Sequence, residues 1–200
     1  MKEGGKIMNI FQKIGTIITR PGEFFDDTIG EGIGPAFGFY AFIWLIFLIF
    51  VIPVVLVLAF FVGSSIAAIL GVEAGVMLGG ATLLFAALMG IGMYLSALIF
   101  SFVWAAILHL WCLIWGGIGD YADSYKICVY ASTPALLFGW IPGINGLAQI
   151  WSLILVGVGL VRLHNVSTLR AVLMIIIPFI IFIGLFILLW VWGLATATSA

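Results

Sequence analysis

The few side chains that could do chemistry within the long apolar segments centre on His109. Cys112 follows it one helical turn later, and Cys128 comes in the next apolar segment, so the three could form a metal or proton site. Ligands without a repeated spacing are a weak signal for metal binding, and a packed, hydrogen-bonded histidine is the alternative. His109 could pair with Ser152 as a hydrolytic dyad only by coincidence of packing. We therefore predict no catalytic centre, no metal site and no cofactor.

Two prolines and three glycines interrupt an uncharged stretch of the chain (127–161), in the segment STPALLFGWIPGING (132–146). Lipid offers no hydrogen-bond partner for a broken helix, so such a break marks a turn at the outer water interface, a re-entrant tip or a ligand site. All three interpretations stay open. The residues that would form a ligand or packing site here, with His109, are Ser132, Thr133, Pro134, Pro142, Asn145 and Gln149.

Charge is scarce and confined to the ends and loops of the chain. Of 200 residues, 65% are hydrophobic and 8% are charged, and the formal net charge is −1. This composition indicates an all-α integral membrane protein and excludes a nucleic-acid-binding surface. Lys126 and Arg170 lie at the very start of two predicted spans, and no Asp, Glu, Lys or Arg falls in the interior of any span, which disfavours proton-coupled transport and intramembrane aspartyl proteolysis.

The uncharged runs predict five transmembrane helices, because about 20 residues cross a bilayer core. An odd number places all Lys and Arg residues on one side, as the positive-inside rule favours, with the N-terminus cytoplasmic and the C-terminus outside. No cleavable signal is expected, so the chain should be a multi-pass protein of the cell (inner) membrane. The predicted membrane domain covers 31–195, and its spans are about residues 36–62, 93–115 with a helical lead-in at 76–92, 125–141, 144–161 and 169–192.

The cytoplasmic segment 1–30 contains an amphipathic pattern over about residues 6–20. Isoleucines form one face and basic residues its edge, which predicts an interfacial helix on an anionic inner leaflet. The alternative is that the same face packs on the protein's own inner loops. The basic residues predicted to face lipid are Lys6, Lys13, Arg20, Arg162 and Arg170.

The most polar inner loop is GGIGDYADSYK (116–126). Asp120 and Asp123 could hold a cation there. The favoured interpretation is that they end one helix and begin the next, with Asp123 or Ser124 as the N-cap.

The order of these features resembles the Yip domain family of Ypt/Rab-interacting membrane proteins. The resemblance rests on RPGEFF (20–25), GGIGDYADSYKICVYASTP (116–134), GWIPGINGLAQIWSLILVGVGLVRLHNVSTLRA (139–171) and a last span with an internal proline. It implies five spans, a cytoplasmic N-terminus and a non-enzymatic role. Eukaryotic members associate with Rab-type GTPases, but their Asp-Leu-Tyr-Gly-Pro stretch is replaced here by PGEFFDD, so Rab binding is not carried over and a prokaryotic member is expected.

We therefore expect a non-enzymatic Yip-type protein that organises or scaffolds the membrane through lipid and protein contacts, including a protein partner or a second copy of itself. The alternative is a channel or carrier for a small solute that uses the broken segment at 134–146. Convergence of the polar side chains on one cavity would favour the carrier.

Overall fold

The computed structural model describes residues 9–198, and its regular elements are helices joined by short loops, with no strands in this part of the chain. Within this part of the chain, four helices are long and apolar enough to cross a membrane, namely α3, α4, α7 and α8. The prediction of an all-α integral membrane protein is confirmed. The helices are α1 (Ile10–Thr19), α2 (Pro21–Asp27), α3 (Ile33–Leu70), α4 (Val72–Ile114), α5 (Tyr121–Ala131), α6 (Thr133–Phe138), α7 (Asn145–Leu163) and α8 (Thr168–Thr198).

Helices α3 and α4 form a hairpin that is far longer than the predicted spans. They contain 38 and 43 residues, which corresponds to about 57 Å and about 64 Å at helical rise. Gly71, with φ of 96°, joins them. Helix α3 continues past the predicted span end at 62, and the predicted lead-in at 76–92 is continuous with the following crossing.

Small residues let the two arms of this hairpin approach closely. A Cβ at Gly75 would collide with the side chain of Ala67, and it would lie 3.1 Å from the backbone oxygen of Gly63. Such close backbone packing is how helices associate in lipid, where no hydrophobic force drives them together.

Helices α5 and α6 lie at the centre of the molecule. Helix α5 is buried along most of its length, and α6 follows after a break at Ser132. A turn at 139–144 leads into α7, against which both α5 and α6 pack. Because α5 and α6 are individually short, their crossing of the membrane as a fifth span stays a prediction.

Helices α1 and α2 cover one end of this core. Ile17 of α1 and the adjacent Phe24 and Phe25 of α2 are fully buried. Ile10 and Ile14 pack against the same cluster, while Phe11 is 68% exposed. The isoleucine face of α1 therefore packs largely on the protein itself, as the alternative interpretation expected, and its contact with a lipid interface stays a prediction.

At the end of the core that α1 and α2 cover, two loops meet beside α2. We call this end the charged end. The loop at 115–120 contacts the loop at 164–167 through a hydrogen bond from Ile118 N to His164 O (3.1 Å). At the other end, Trp140 stacks on Phe50 of α3 with ring centroids 5.1 Å apart. This places the α6–α7 turn alongside the middle of α3.

Candidate functional site

His109 is one end of a chain of three hydrogen-bonded side chains at the charged end. Its Nδ1 lies 3.2 Å from Ser124 Oγ, which in turn lies 2.8 Å from Nε2 of His164. Ser124 and His164 are fully buried. A serine beside an imidazole nitrogen is the geometry of a nucleophile and its base, but no substrate carbonyl can reach a hydroxyl that is shielded in this way.

His164 is held in a tightly packed environment. Its Nδ1 is buried without a hydrogen-bond partner, and a Cβ at Gly119 would lie 2.8 Å from that atom. Burial is the largest influence on the pKa of His164, and it lowers that pKa. The nearby carboxylates of Asp123 and Asp120 raise the pKa, whereas His109 lowers it further. The net lowering of the pKa favours the neutral imidazole, which is the form expected of a buried histidine that packs and hydrogen-bonds within the fold.

The cysteines do not join His109. Cys112 is buried, Cys128 is half-buried, and both are free thiols. Across residues 9–198, no group of three His, Cys, Asp or Glu side chains is placed to hold a metal ion.

The hydroxyl groups of the broken segment are used locally. Ser132 donates to the backbone oxygen of Val129 (2.8 Å), and Ser152 accepts a hydrogen bond from Ala135 N (3.2 Å). Thr133 is fully buried, and its Oγ1 has no partner. These bonds satisfy backbone groups around the break, which is what a helix interruption within lipid requires.

The turn that follows is open to its surroundings. Asn145 Nδ2 donates to the backbone oxygen of Gly139 and so closes the turn. Pro142 and Gln149 are exposed. The residues predicted to form a site in this segment are thus spread over a helix break, a turn and the outside of α7, and His109 lies at the charged end.

The start of α5 corrects one sequence expectation. The N-cap is Asp120, not Asp123 or Ser124. Asp120 Oδ1 accepts a hydrogen bond from Asp123 N (2.8 Å), and Asp123 Oδ2 accepts one from Asp120 N (3.1 Å). The two aspartates form a reciprocal capping arrangement, so both carboxylates are engaged at the helix start.

Lys126 is a functional residue of the fold that the sequence analysis missed. It is 1% exposed, with Nζ 2.8 Å from Asp123 Oδ1 and 2.8 Å from the backbone oxygen of Thr28. A buried ammonium is costly unless it is paired and hydrogen-bonded. Lys126 therefore fixes α5 against the loop that connects α2 to α3.

Lys13, which was predicted to face lipid headgroups, lies in an ion pair within the protein. Its Nζ forms an ion pair with Glu31 Oε1 at 3.0 Å, and both side chains are 19% exposed. Tyr130 donates to the other oxygen of Glu31 (3.0 Å). The ammonium faces inward because an acid on the α2–α3 loop and a buried tyrosine on α5 meet at this point.

The other basic residues predicted to face lipid are also engaged. Arg162 Nη1 lies 3.0 Å from Asp26 Oδ2. Arg20 Nη1 lies 3.5 Å from Glu23 Oε2 on the surface. Arg170 is exposed and donates to the backbone oxygen of Trp115 (3.4 Å). Lys6 lies outside the described residues.

A polar cavity of about 280 Å³ opens where these elements meet. The α2–α3 loop, the start of α5 and the end of α7 line it. Its charged lining residues are Glu31, Asp120, Asp123, Lys126 and Arg162.

The match to a family model covers nearly all of this architecture. The Yip1 domain model matches residues 14–191, from α1 to the exposed part of α8. The chain belongs to the Yip1 domain family. Yip family proteins interact with Rab GTPases and with membranes, and the family is not a known enzyme family.

No curated protein matches this Yip1 domain protein. No solved structure matches it either.

Two of the residues that organise the Yip1 domain had a readable sequence signal, and two did not. The spacing of Asp120 and Asp123 at the start of a helix is that of a capping arrangement. His164 and Lys126, in contrast, contact segments 40 and 98 residues away. Lys126 also pairs locally with Asp123, but that spacing does not reveal that its ammonium is buried.

Proposed function

We propose that this Yip1 domain protein organises and shapes the membrane through lipid and protein contacts, without a catalytic centre. The observation that carries the proposal is the length of the α3–α4 hairpin. The proposed setting is the cell membrane, with the charged end and the N-terminus in the cytoplasm and the C-terminus outside, because the basic residues gather at one end.

The part of the hairpin beyond the α6–α7 turn, residues 51–92, we call the distal hairpin. From Phe50, which stacks on Trp140, α3 runs for about 30 Å more to its end at Leu70 at helical rise. Within the distal hairpin only Ala59 and Gly75 are buried, and Glu73 is its only charged residue.

The whole α3–α4 hairpin, with helices of 38 and 43 residues, is about 57 to 64 Å long and does not fit upright in a bilayer whose core is about 30 Å thick. Helices that exceed this thickness tilt, bend or thicken the membrane around them, at a cost of fractions of a kcal/mol for each Å of mismatch. The distal hairpin therefore provides a physical means of deforming the bilayer or of gathering several copies to share the deformation.

Protein contacts are supported by α8. Its apolar side chains from Phe179 to Trp192 are exposed, and the helix packs mainly on α7. Between α4 and α8, Trp111 Nε1 donates to Met174 O (3.1 Å) near the charged end. The remaining length of α8 is available to lipid, to a second copy or to another membrane protein.

The carrier hypothesis gains no support from the geometry. The polar residues that would line a path do not converge on one cavity. Ser96 bonds within its own helix to Gly92 O (2.6 Å), and Ser101 lies 3.1 Å from Tyr125 Oη across α4 and α5. Asn145 and Gln149 are exposed. We propose no transport activity on this basis.

Shortening the distal hairpin tests the proposal. Deleting residues 57–67 and 75–85 removes eleven residues, or about three turns, from each arm and so preserves the helical faces and the tip. Reconstituted wild-type protein should narrow or tubulate vesicles in electron cryo-micrographs, in proportion to its density. The shortened variant should leave them close to protein-free vesicles. Equal deformation by both proteins, each with an intact thermal transition in detergent, would refute the proposal.

A further inference from the structure

We propose that Arg162 anchors a single glycerophospholipid, with an acyl chain in the groove between α7 and α8 and a headgroup bearing a primary ammonium in the polar cavity. This inference rests on the proposed membrane role, since it names a lipid that the protein would contact, but it concerns different residues from the distal hairpin.

The α7–α8 groove has a volume of about 510 Å³, which falls within the range of about 300 to 1,000 Å³ that is common for ligand sites. Aliphatic residues such as Ile154, Val158, Val172 and Ile176 line most of it. Arg162 and Thr168 are its polar residues, and both lie next to the loop that joins the two helices at the charged end. The groove therefore has an apolar length and one charged end, as a phospholipid does.

A second groove provides an internal contrast. It lies between α3 and α4, has the same volume of about 510 Å³ and is lined by apolar and small residues. Ser64 is its most polar lining residue, and none of the lining residues is charged. An apolar lining is therefore common to both grooves. Arg162 is what distinguishes the α7–α8 groove from ordinary lipid-exposed surface.

Arg162 lines both the groove and the polar cavity. Its side chain is 49% exposed, and one terminal nitrogen bonds to Asp26. A guanidinium carries five N–H donors in a planar fork that matches the geometry of a phosphate. Donors therefore remain for a phosphodiester placed between the groove and the cavity.

The charges that line the polar cavity indicate which headgroup would accompany the phosphate. Among its charged lining residues, Glu31 pairs with Lys13, Asp123 with Lys126, and Arg162 with Asp26. Asp120 is the lining carboxylate left outside these ion pairs, so the cavity has an excess of acid. Excess acid disfavours a headgroup with net negative charge and favours one with an ammonium beside its phosphate. Asp120 is exposed at the cavity wall. Its Oδ1 caps α5 by accepting from Asp123 N, which leaves Oδ2 to accept from such an ammonium.

The residues that line the cavity also favour a primary ammonium group over a quaternary one. Quaternary ammonium groups are recognised by cages of aromatic rings, and the residues that line this cavity include no aromatic side chain. A primary ammonium instead donates hydrogen bonds to carboxylates. Phosphatidylethanolamine therefore fits better than phosphatidylcholine or phosphatidylglycerol.

Native mass spectrometry of the full chain tests the selectivity. The protein is incubated in mild detergent with equal amounts of phosphatidylethanolamine, phosphatidylcholine and phosphatidylglycerol of identical acyl chains. One phosphatidylethanolamine should stay bound preferentially. Equal retention of all three lipids, or preference for phosphatidylglycerol, would overturn the proposal.

Four variants assign the site. Arg162→Gln should weaken phosphatidylethanolamine binding about tenfold or more, as expected for the loss of a charge-assisted contact, while Arg170→Gln should not. Gly157→Leu should block the groove, since a Cβ there would lie 3.3 Å from Ile175 Cδ1, while Gly184→Leu, in open space on α8, should not. If either control weakens binding as much as its partner, the site is wrong.

Asp26→Asn separates a ligand role of Arg162 from a merely structural one. If Arg162 only holds α2 against α7, Asp26→Asn should weaken lipid binding as Arg162→Gln does. If Arg162 binds phosphate, removing the competing carboxylate should maintain or strengthen binding. The protein lacking residues 57–67 and 75–85 should retain its preference for phosphatidylethanolamine, because the deletions do not touch the groove. Membrane deformation therefore tests the hairpin proposal, and lipid retention tests this one separately.

Discussion

At the scale of single residues, the charged end is built from polar groups that neutralise one another. Lys13 pairs with Glu31, Lys126 with Asp123, and Arg162 with Asp26. Lys13–Glu31 and Arg162–Asp26 join different segments, Lys126–Asp123 lies within α5, and in each pair an acid balances the basic charge. Attraction to an anionic leaflet is correspondingly weaker than the charges alone suggest, which is why a zwitterionic lipid suits this surface.

His164 should make the stability of the protein depend on pH. Burial lowers its pKa, so the unfolded chain binds the proton more readily than the folded one. The stabilisation is then fully present above the unfolded pKa of about 6.5 and is lost as pH falls below it. The melting temperature in detergent, measured from about pH 8 down to about pH 5.5 around the unfolded histidine value, should fall towards the acid end.

Replacing His164 with Gln should flatten this dependence. The Gln amide can still bond to Ser124, whose Oγ lies 2.8 Å from His164 Nε2, but it does not titrate. His109→Gln serves as the matched control and should keep most of the acid sensitivity. A melting temperature of the His164→Gln variant that falls with acid as steeply as the wild type would show that another group is responsible.

At the scale of secondary-structure elements, the hairpin depends on glycine where its arms touch. Gly75→Leu should separate α3 from α4, because its first side-chain carbon would already collide with Ala67. Overpacking of this kind costs about 1 to 3 kcal/mol. Thermal unfolding in detergent measures the loss.

Gly80→Leu is the control for that change. It introduces the same side chain about one and a half turns further along α4, where no atom outside the helix lies within 4 Å of an added Cβ. It should leave the transition unchanged or raise it slightly, since Gly is a poor helix former. Equal destabilisation by both variants would mean that the arms do not pack through Gly75.

The sequence predicted the kinds of elements better than their lengths. Uncharged runs indicate membrane helices, but a uniformly apolar segment contains no mark of where the bilayer ends, so α3 was expected to stop near 62 and runs to Leu70. For the same reason the sequence does not determine the path of residues 63–92. Partners that are distant in sequence, such as Glu31 for Lys13 and Thr28 for Lys126, follow only from the packed fold.

At the scale of the whole molecule, the charged end and the α6–α7 turn lie at opposite ends of α7. That helix has 19 residues, or about 28 Å at helical rise, which is close to the thickness of a bilayer core. A membrane fitted to α7 would cover α5 and α6 as well. It would leave the distal hairpin either beyond the core or bent along its surface.

Accessibility of single cysteines tests this placement, in a variant with Cys112→Ala and Cys128→Ala. Exposed probes at Ser167 and Ile118 on the charged end should be shielded from an impermeant thiol reagent applied to intact cells, and should react once the cells are opened. A probe at Ile144, in the α6–α7 turn, should react from outside if α5 and α6 cross the membrane together. A probe at Glu73 reports whether the tip of the distal hairpin reaches the outer water.

The outcomes separate the arrangements that the charges alone leave open. Reaction at Ile144 with protection at Ser167 supports five crossings. Protection at both, with reaction at Glu73, means that α5, α6 and α7 form a re-entrant hairpin, because their polar flanks then share one side and their turn stays within the membrane. Reaction at Ser167 from outside would invert the orientation, since the basic residues would then lie on the side that the positive-inside rule disfavours.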